Sequence, residues 1–404
     1  MDDEARWKKN REALGFSKKG EAQALRSFRE MSELVFGDLK VVSYEKLYVR
    51  HDGKGAEPMW LCSCACGGNV VARASALRAE DLKNCGKCGL LVQRNWGEQL
   101  LRRLALSLEF KGTMGIYEKG TGSATAKISI AVRDYARELL DVTCGELGVG
   151  SVTIAKYEDR GFMAQWQLAG GEAVALAKAV APYMVCKKEQ AEMVANYDPG
   201  SRGVKVAPDV RAERMRLCLR TKELNKKGPR DVSPEWASLK EKWVVWIATA
   251  SVQERMNLLA WSIEWEGFIG VYERASTESA RGVSHGIQIG IPQSVHRTCL
   301  LEIMLELAGG IGHLGAVRAS SKLGHSAMRN WTVQGIGGGK KLAHELIPFL
   351  KCKKRLAETV VEFPEWDNAP LPMPDEIFQK RHALAMESKR INAKLEIELP
   401  EVNE

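Results

Sequence analysis

One segment of this chain occurs twice, and the duplication limits the fold more than any other feature. LALSLEFKG (104–112) and LAWSIEWEG (259–267) share the pattern Leu-Ala-x-Ser-(Leu/Ile)-Glu-aromatic-x-Gly, and the stretches GIYE and GVYE follow shortly after. Downstream, APYMVCKKEQAEMV (181–194) matches IPFLKCKKRLAETV (347–360) in a proline, a cysteine and two lysines. Two copies of about 100–120 residues indicate a duplicated domain, because a solenoid stacks at least three short repeats.

The hydrophobic periodicity of each copy alternates between helix and strand. In the first copy it predicts a helix over 100–108, strands in GTMGIYE and TAKISIAV, a helix over 137–147, a hairpin of SVTIAKYE with FMAQWQLA, and a closing helix over 172–194 that Pro182 kinks or splits. The second copy repeats this order, with its later strands expected over 281–290 and 317–333. The predicted fold class is therefore α+β, with two pseudo-symmetric αββαββα repeats built on antiparallel sheets.

Five of the ten cysteines lie together in WLCSCACGGNVVARASALRAEDLKNCGKCG. Two thiolate pairs brought together across a short helix or hairpin can bind Zn²⁺ tetrahedrally, and the neighbouring glycines relieve the tight turns. The sequence favours Cys64, Cys66, Cys85 and Cys88 as the ligands, with Cys62 as an alternate. The competing interpretation is a set of core or reactive cysteines without metal. The pattern also resembles the small zinc-binding modules that accompany homing-type nuclease domains in phage and bacterial proteins.

The doubled segment, the αββαββα order and the matched downstream helices together resemble the single-chain LAGLIDADG homing endonucleases over roughly residues 95–395. The resemblance implies that the two repeated helices pack against each other at a pseudo-twofold axis, where alanine and serine let the backbones approach. It also implies that each copy contributes a four-stranded, saddle-shaped sheet to the major groove of duplex DNA. In that family the acidic residue before the final glycine binds Mg²⁺ at the scissile phosphates.

The two copies carry opposite charges at that position. Glu266 in the second copy can bind Mg²⁺, whereas Lys111 in the first cannot, because an ammonium group has no lone pair. The family also implies a lysine near the start of the closing helix, a role open to Lys340 and Lys341 in the second copy only. We expect Lys111 to pair with Glu266 in place of metal and double-strand cleavage to be weak or absent. Drift at a position without catalytic use leads to the same expectation.

Glu109 and Glu264, two residues before the divergent position, form a second acidic pair. These carboxylates could hold metal only if each helix ended one or two residues early. The family resemblance instead implies a structural role there, such as a cap.

Alternation along the predicted strands separates a core face from an outward face. Matching Trp166 with Trp331 as core residues sets the register, and the outward face then carries side chains suited to bases and phosphates. A merely solvated strand face is the alternative for each of them. The candidate DNA contacts are Lys127, Ser129, Arg133, Gln165, Gln167, Arg281, Gln288, Asn330 and Thr332.

Composition restricts the protein class without deciding the function. The 59 Lys and Arg against 51 Asp and Glu give a net charge of +8, which permits a polyanionic partner without requiring one. The charged N-terminus and the lack of a long apolar run predict a cytoplasmic protein with no membrane partner. The resemblance of its cysteine region to phage and bacterial zinc modules implies a bacterial or phage-encoded protein. We expect a basic helical segment at 1–33, a zinc-binding module at 34–92, repeats at 95–197 and 241–363, a linker with a helix at 198–240, and a C-terminal extension with a helix at 364–404.

Three functions are consistent with these features. The leading one is a monomeric, internally pseudo-symmetric protein that binds double-stranded DNA and has lost double-strand cleavage, with structural Zn²⁺. The second is an Mg²⁺-dependent endonuclease or nickase that uses Glu266. The third is an RNA-binding intron maturase, a role that members of the LAGLIDADG family take when the nuclease acids are lost.

Overall fold

The computed structural model describes residues 31, 33–49, 56–64, 69–79, 82, 96–119, 123–157, 161–198, 207–227, 234–277, 281–319, 326–366 and 373–397 of the 404-residue chain. The chain divides into two compact units, Met1–Asn95 with Pro199–Val206 and Trp96–Asp198 with Ala207–Glu404. Within the described ranges, no helix combines the length and the apolar character needed to cross a membrane.

The described part of the first unit is an antiparallel sheet followed by one short helix. Its elements are β1 (Val35–Phe36), β2 (Leu39–Val49), β3 (Ala56–Cys64), β4 (Asn69–Arg73) and α1 (Ala74–Arg78). The strands pair in chain order, and their buried side chains form a small core. In that core the rings of Tyr44 and Trp60 meet edge to face, with centroids 6.2 Å apart.

The second unit begins with the first repeat and two connecting helices. The repeat contains α2 (Glu98–Lys111), β5 (Gly112–Lys119), β6 (Ser123–Arg133), α3 (Arg137–Leu147), β7 (Ser151–Tyr157), β8 (Gly161–Ala169), α4 (Gly171–Val180) and α5 (Lys188–Ala195). The connecting helices are α6 (Pro208–Lys227) and α7 (Pro234–Thr249).

The second repeat follows the same order. It contains α8 (Val252–Glu266), β9 (Phe268–Ala275), β10 (Val283–Ser294), α9 (Thr298–Leu307), β11 (His313–Leu314), β12 (Met328–Gln334), α10 (Ile336–Leu346) and α11 (Lys354–Glu362), and α12 (Asp375–Ile397) ends the described chain. The two sheets have the equivalent orders β5-β6-β8-β7 and β9-β10-β12-β11, all antiparallel. The predicted α+β class and the duplicated αββαββα order are therefore confirmed.

Matched tryptophans fix the same register in both sheets. Trp166 lies opposite Ile130, and Trp331 lies opposite Ile291. Each indole is fully buried, and each N–H donates to a carbonyl of the preceding loop at 3.1 Å. Each ring thus anchors the second strand of its hairpin, β8 or β12, to the loop that joins the preceding helix to that hairpin, and both tryptophans lie on the predicted core face.

The structure adds detail to three of the predicted elements. Pro182 splits the closing segment, which is one of the two predicted outcomes, into α4, a short 3₁₀ turn and α5, because its ring fits the first turn of a helix and has no N–H to continue one. Of the later strands expected over 317–333, the structure has β12 and an isolated bridge between Arg318 and Met328. The other strand of this hairpin, β11, is two residues long and begins earlier, at His313, after a run of glycines with positive φ. Helix α7 includes residue 240, where the predicted linker ends and the predicted second repeat begins.

Two long helices cover the outer edges of the two sheets. The hydroxyl of Thr221 on α6 accepts the backbone N–H of Ile116 on β5 at 2.9 Å. The hydroxyl of Ser388 on α12 accepts the backbone N–H of Val271 on β9 at 3.1 Å. The unpaired backbone groups of an edge strand can pair with another chain. Each helix therefore supplies a hydrogen-bond acceptor to one N–H group of an edge strand and covers that edge.

Candidate functional site at the central helix pair

The repeated segments form a pair of packed helices, α2 and α8. The serine of each segment is fully buried, and the indole N–H of Trp261 donates to the Ser107 hydroxyl at 2.6 Å. Arg103 of α2 lies over the Trp261 ring, with its guanidinium carbon 4.4 Å from the centroid. Small side chains let two helices approach closely, so the shared Ala-x-Ser pattern places the ends of α2 and α8 side by side.

The glycine that ends each repeated segment is required by close backbone packing. Gly112 and Gly267 adopt extended backbone angles at the helix ends. Gly112 is the first residue of β5, and Gly267 directly precedes β9. A Cβ atom at Gly112 would lie 2.6 Å from the Cα atom of Leu108, and one at Gly267 would lie 2.7 Å from the Cα atom of Ile263. The preceding residue is consequently held at the last turn of each helix.

Those preceding residues form an ion pair between the two repeats. Lys111 Nζ lies 2.9 Å from Glu266 Oε1, and the two side chains are 36 % and 25 % exposed. The pairing expected from the sequence is therefore present. Because a cation already neutralises the single carboxylate, these helix ends do not present the two acidic side chains that a pair of Mg²⁺ ions needs, and the residues do not fit that metal arrangement.

A lysine from the adjoining loop caps each helix end; Lys187 is buried, and Lys353 is half-buried. Lys187 Nζ donates to the carbonyls of Leu108 and Gly112 at 2.6 and 2.7 Å. Lys353 Nζ donates to the carbonyls of Ile263, Glu264 and Gly267 at 2.5, 2.9 and 2.7 Å. The last carbonyls of a helix lack intrahelical partners and carry partial negative charge, which these ammonium groups satisfy.

Burial changes the acidity of these two lysines. It lowers the pKa of Lys187 and of Lys353 to about 8, in spite of nearby carboxylates that favour the charged form. The sequence did contain a signal for them, because both lie at the same place in the matched Cys-Lys-Lys segments. What the sequence could not show is that they reach the ends of α2 and α8.

Glu109 and Glu264 bind backbone amides of the lysine-bearing loops. Glu109 Oε1 accepts the N–H groups of Val185 and Lys187 at 2.7 and 3.1 Å. Glu264 Oε1 makes the equivalent contacts with the amides of Lys351 and Lys353. This second acidic pair therefore holds the lysine-bearing loops in place, which is the structural alternative considered from the sequence.

Lys340 and Lys341 lie on α10, in the second repeat. Lys340 forms an ion pair with Glu365 at 3.1 Å, and Lys341 is exposed. Lys353 is the lysine that the structure brings to the end of α8.

The outward face of the first sheet differs in exposure from one strand pair to the next. Lys127, Gln165 and Gln167 are half-buried, and Arg133 is exposed at the end of β6. Ser129 is buried, and its hydroxyl is hydrogen-bonded at 2.9 Å to the hydroxyl of Thr113 on the neighbouring strand. The four longer side chains thus offer polar groups to a ligand, while the hydroxyl of Ser129 already has a partner within the sheet.

The second sheet presents fewer free polar groups at the equivalent positions. Gln288 and Asn330 are half-buried. Thr332 is buried, and its hydroxyl lies 3.4 Å from the imidazole of His313 on the neighbouring strand. Arg281 is not on a strand, and its guanidinium binds the carboxylate of Asp375 on α12.

The predicted zinc ligands are described only in part. Cys64 and the alternate Cys62 are buried on β3, while Cys66, Cys85 and Cys88 lie outside the described residues. Burial raises the pKa of Cys62 to about 11, and its thiol contacts the carbonyl of Trp60 at 3.7 Å. A thiol with so high a pKa stays protonated unless a metal binds it.

Comparison with solved structures returns LAGLIDADG homing endonucleases. The I-LtrWI enzyme bound to target DNA shares 13 % identity with this chain at a TM-score of 0.46, covering 75 % of this chain and 98 % of its own. The meganuclease I-AabMI bound to uncleaved DNA shares 15 % at a TM-score of 0.44, covering 74 % and 98 %. I-SmaMI bound to an uncleaved DNA target with calcium shares 12 % at a TM-score of 0.45, covering 73 % and 97 %. No protein-family model and no curated protein matches the chain.

Proposed function

We propose that this protein binds duplex DNA sequence-specifically through the antiparallel sheets of its two repeats and cleaves both strands weakly or not at all. The observation that carries the proposal is the ion pair of Lys111 with Glu266 at the adjoining ends of α2 and α8. Metal-assisted hydrolysis of both strands needs oxygen ligands for ions at two scissile phosphates. One of the two acidic positions holds an ammonium group instead, and that group also occupies the remaining carboxylate.

The binding half of the proposal rests on the chemistry of the outward sheet faces. Lys127 and Arg133 can contact phosphates or guanine, and Gln165, Gln167 and Asn330 can read adenine through paired hydrogen bonds. The net charge of +8 favours association with a polyanion. In this proposal the cysteines of the 34–92 module hold a structural Zn²⁺, which stabilises a unit too small for a large core.

Selection followed by cleavage tests both halves. The purified chain selects bound duplexes from a random library, and the enriched site is cloned into a supercoiled plasmid. We expect specific binding with a steep salt dependence and no linear plasmid in the presence of Mg²⁺. Linear product that disappears in Glu266→Gln would overturn the loss of cleavage, and failure to enrich any sequence would overturn specific DNA binding.

A nicking activity is the second candidate, because Glu266 keeps a partly exposed carboxylate. Nicked plasmid from the wild type, absent with Glu266→Gln, would establish it. A competition assay distinguishes DNA from RNA as the partner. A structured intron RNA and unlabelled duplex each compete with the labelled, selected duplex. If the RNA displaces the labelled duplex at the lower concentration, the protein is an RNA-binding protein and the DNA proposal fails.

A further inference from the structure

The second repeat holds a cluster of metal-ligand side chains that the proposed function does not use. Glu273 on β9 and His285 on β10 are direct cross-strand partners, and His382 of α12 lies beside them. Glu273 Oε2 is 3.0 Å from His285 Nε2 and 2.8 Å from His382 Nδ1. We infer that these three side chains form a binding site for a divalent transition-metal ion such as Zn²⁺, which fastens α12 to the second sheet.

The ligand set and its spacing suit such an ion. Two imidazole nitrogens and one carboxylate oxygen are common zinc ligands, and bonds of about 2.0–2.1 Å at tetrahedral angles put ligand atoms about 3.3 Å apart. The three ligand atoms lie within 4.8 Å of one another, so small side-chain adjustments suffice. The Glu273 and His382 side chains are 37 % and 43 % exposed, which leaves room for water as a fourth ligand.

The surrounding side chains hold both imidazoles in place before any ion binds. The His285 ring is almost fully buried and meets the ring of Phe378 edge to face at 5.1 Å. Phe378 and His382 lie one helical turn apart, with their rings parallel and their centroids 6.4 Å apart. A site whose ligands are fixed by packing loses little conformational entropy when metal binds.

Two guanidinium groups near the cluster have partners of their own. Arg381 donates two hydrogen bonds to the Pro364 carbonyl, and Arg281 binds the Asp375 carboxylate and lies 4.2 Å over the Phe378 ring. Glu273 Oε2 is contacted by the two imidazoles. The carboxylate therefore supplies the negative charge that a divalent ion needs.

The duplication provides an internal comparison. In the first repeat, Glu118 occupies the place of Glu273, but its cross-strand partner is Ala124. Arg214 on α6 lies over the Tyr197 ring as Arg381 on α12 lies over the Phe363 ring, so the two arginines are equivalent. The residue after each arginine is Met215 in the first repeat and His382 in the second. Of these matched positions, those in the second repeat carry both histidines and the carboxylate, whereas Glu118, Ala124 and Met215 in the first repeat do not form such a ligand set.

Cobalt spectroscopy of the full chain tests the inference. After chelator treatment, the protein is titrated with Co²⁺, and the spectrum of His382→Gln is subtracted from that of the wild type. We expect the difference to show visible d–d bands without the near-ultraviolet sulfur-to-cobalt bands that thiolate ligands give, which separates this site from the cysteine cluster. Glu273→Gln should abolish the same bands, whereas His344→Gln, at an exposed histidine of α10, should keep them.

A second measurement guards against variants that fail to fold. Zn²⁺ added to the chelator-treated wild type should slow backbone hydrogen exchange in α12 by at least about tenfold, because opening the helix then requires release of the ion. The His382→Gln variant should show native circular dichroism and no Zn²⁺ effect on that exchange. Identical cobalt spectra of the wild type and His382→Gln, or α12 exchange that does not respond to Zn²⁺ in the wild type, would overturn the inference.

Discussion

Replacing Lys111 with glutamate should turn a metal-independent helix junction into a metal-binding one. In the wild type the ammonium group neutralises Glu266 at 2.9 Å. The substitution places two carboxylates at the adjoining ends of α2 and α8. Two nearby carboxylates repel each other without a cation and bind a divalent ion with oxygen ligands when one is supplied.

The size of the effect follows from the exposure of the pair. Two unit charges 2.9 Å apart attract by about 6 kcal/mol at an effective dielectric constant of 20. Both side chains are partly exposed, so screening and side-chain entropy reduce the net contribution to about 1 kcal/mol. Exchanging attraction for a similar repulsion should lower the free energy of unfolding by about 2 kcal/mol without metal. Mg²⁺ at ten times its dissociation constant should restore about 1.4 kcal/mol.

Urea unfolding with EDTA and with Mg²⁺ measures both numbers. The wild type should give the same unfolding curve in both buffers. Lys242→Glu is the matched control, since it makes the same charge change at an exposed position of α7 with no charged residue three or four positions away. A Lys111→Glu protein that is as stable as this control in EDTA, or that does not respond to Mg²⁺, would refute the reasoning from the ion pair.

Three further predictions concern packing and protonation. Burial lowers the pKa of Lys353 to about 8 from 10.5, so the native state binds this proton more weakly than the unfolded state does. The free energy of unfolding should therefore rise by up to about 3 kcal/mol between pH 8 and pH 10.5. Denaturation series at both pH values should show that Lys353→Met removes this increase. Ser388→Ala leaves an edge-strand amide without its acceptor and should cost about 1–2 kcal/mol, with faster hydrogen exchange at that amide as the specific readout. Gly115→Ala would place a Cβ atom 2.1 Å from the nearest side-chain carbon and should lower the melting temperature at a cost of about 1–3 kcal/mol, whereas Gly145→Ala meets no atom within 4 Å and should be neutral or stabilising.

Local periodicity was sufficient to predict the order of elements in both repeats. Helix 137–147 has the same bounds in the structure, and the alternation around Trp166 assigned the core face correctly. Near Val317 the expected strand is reduced to an isolated bridge between Arg318 and Met328. Alternation there does not reflect burial, because Val317 is exposed and the two-residue strand β11 pairs with β12 earlier, at His313–Leu314. Glycines with positive φ precede β11 and determine where this strand begins, and the amino-acid sequence alone does not give their backbone angles.

The candidate site was predictable where it depends on matched positions and unpredictable where it depends on long-range contacts. The ion pair of Lys111 with Glu266 could be inferred because the two residues occupy equivalent positions of the repeated helices. Equivalent helix ends lie side by side when the two helices pack about a pseudo-twofold axis. The caps provided by Lys187 and Lys353 could not, since they depend on how far a side chain reaches from one loop to another helix. Ser129 and Thr332 were predicted to lie on the outward faces of the sheets. The sequence could not show that each hydroxyl has a neighbour on the adjacent strand, the Thr113 hydroxyl for Ser129 and the His313 imidazole for Thr332.

The contact between α2 and α8 is not symmetric, and this determines which helix each one accepts. Trp261 donates to Ser107, but the residue matching Trp261 in the first repeat is Leu106, which has no donor for Ser262. Two first repeats facing each other would oppose two ammonium groups at Lys111, and two second repeats would oppose two carboxylates at Glu266. Like charges and missing donors disfavour the wrong pairing, so each half recognises its covalent neighbour in preference to a copy of itself.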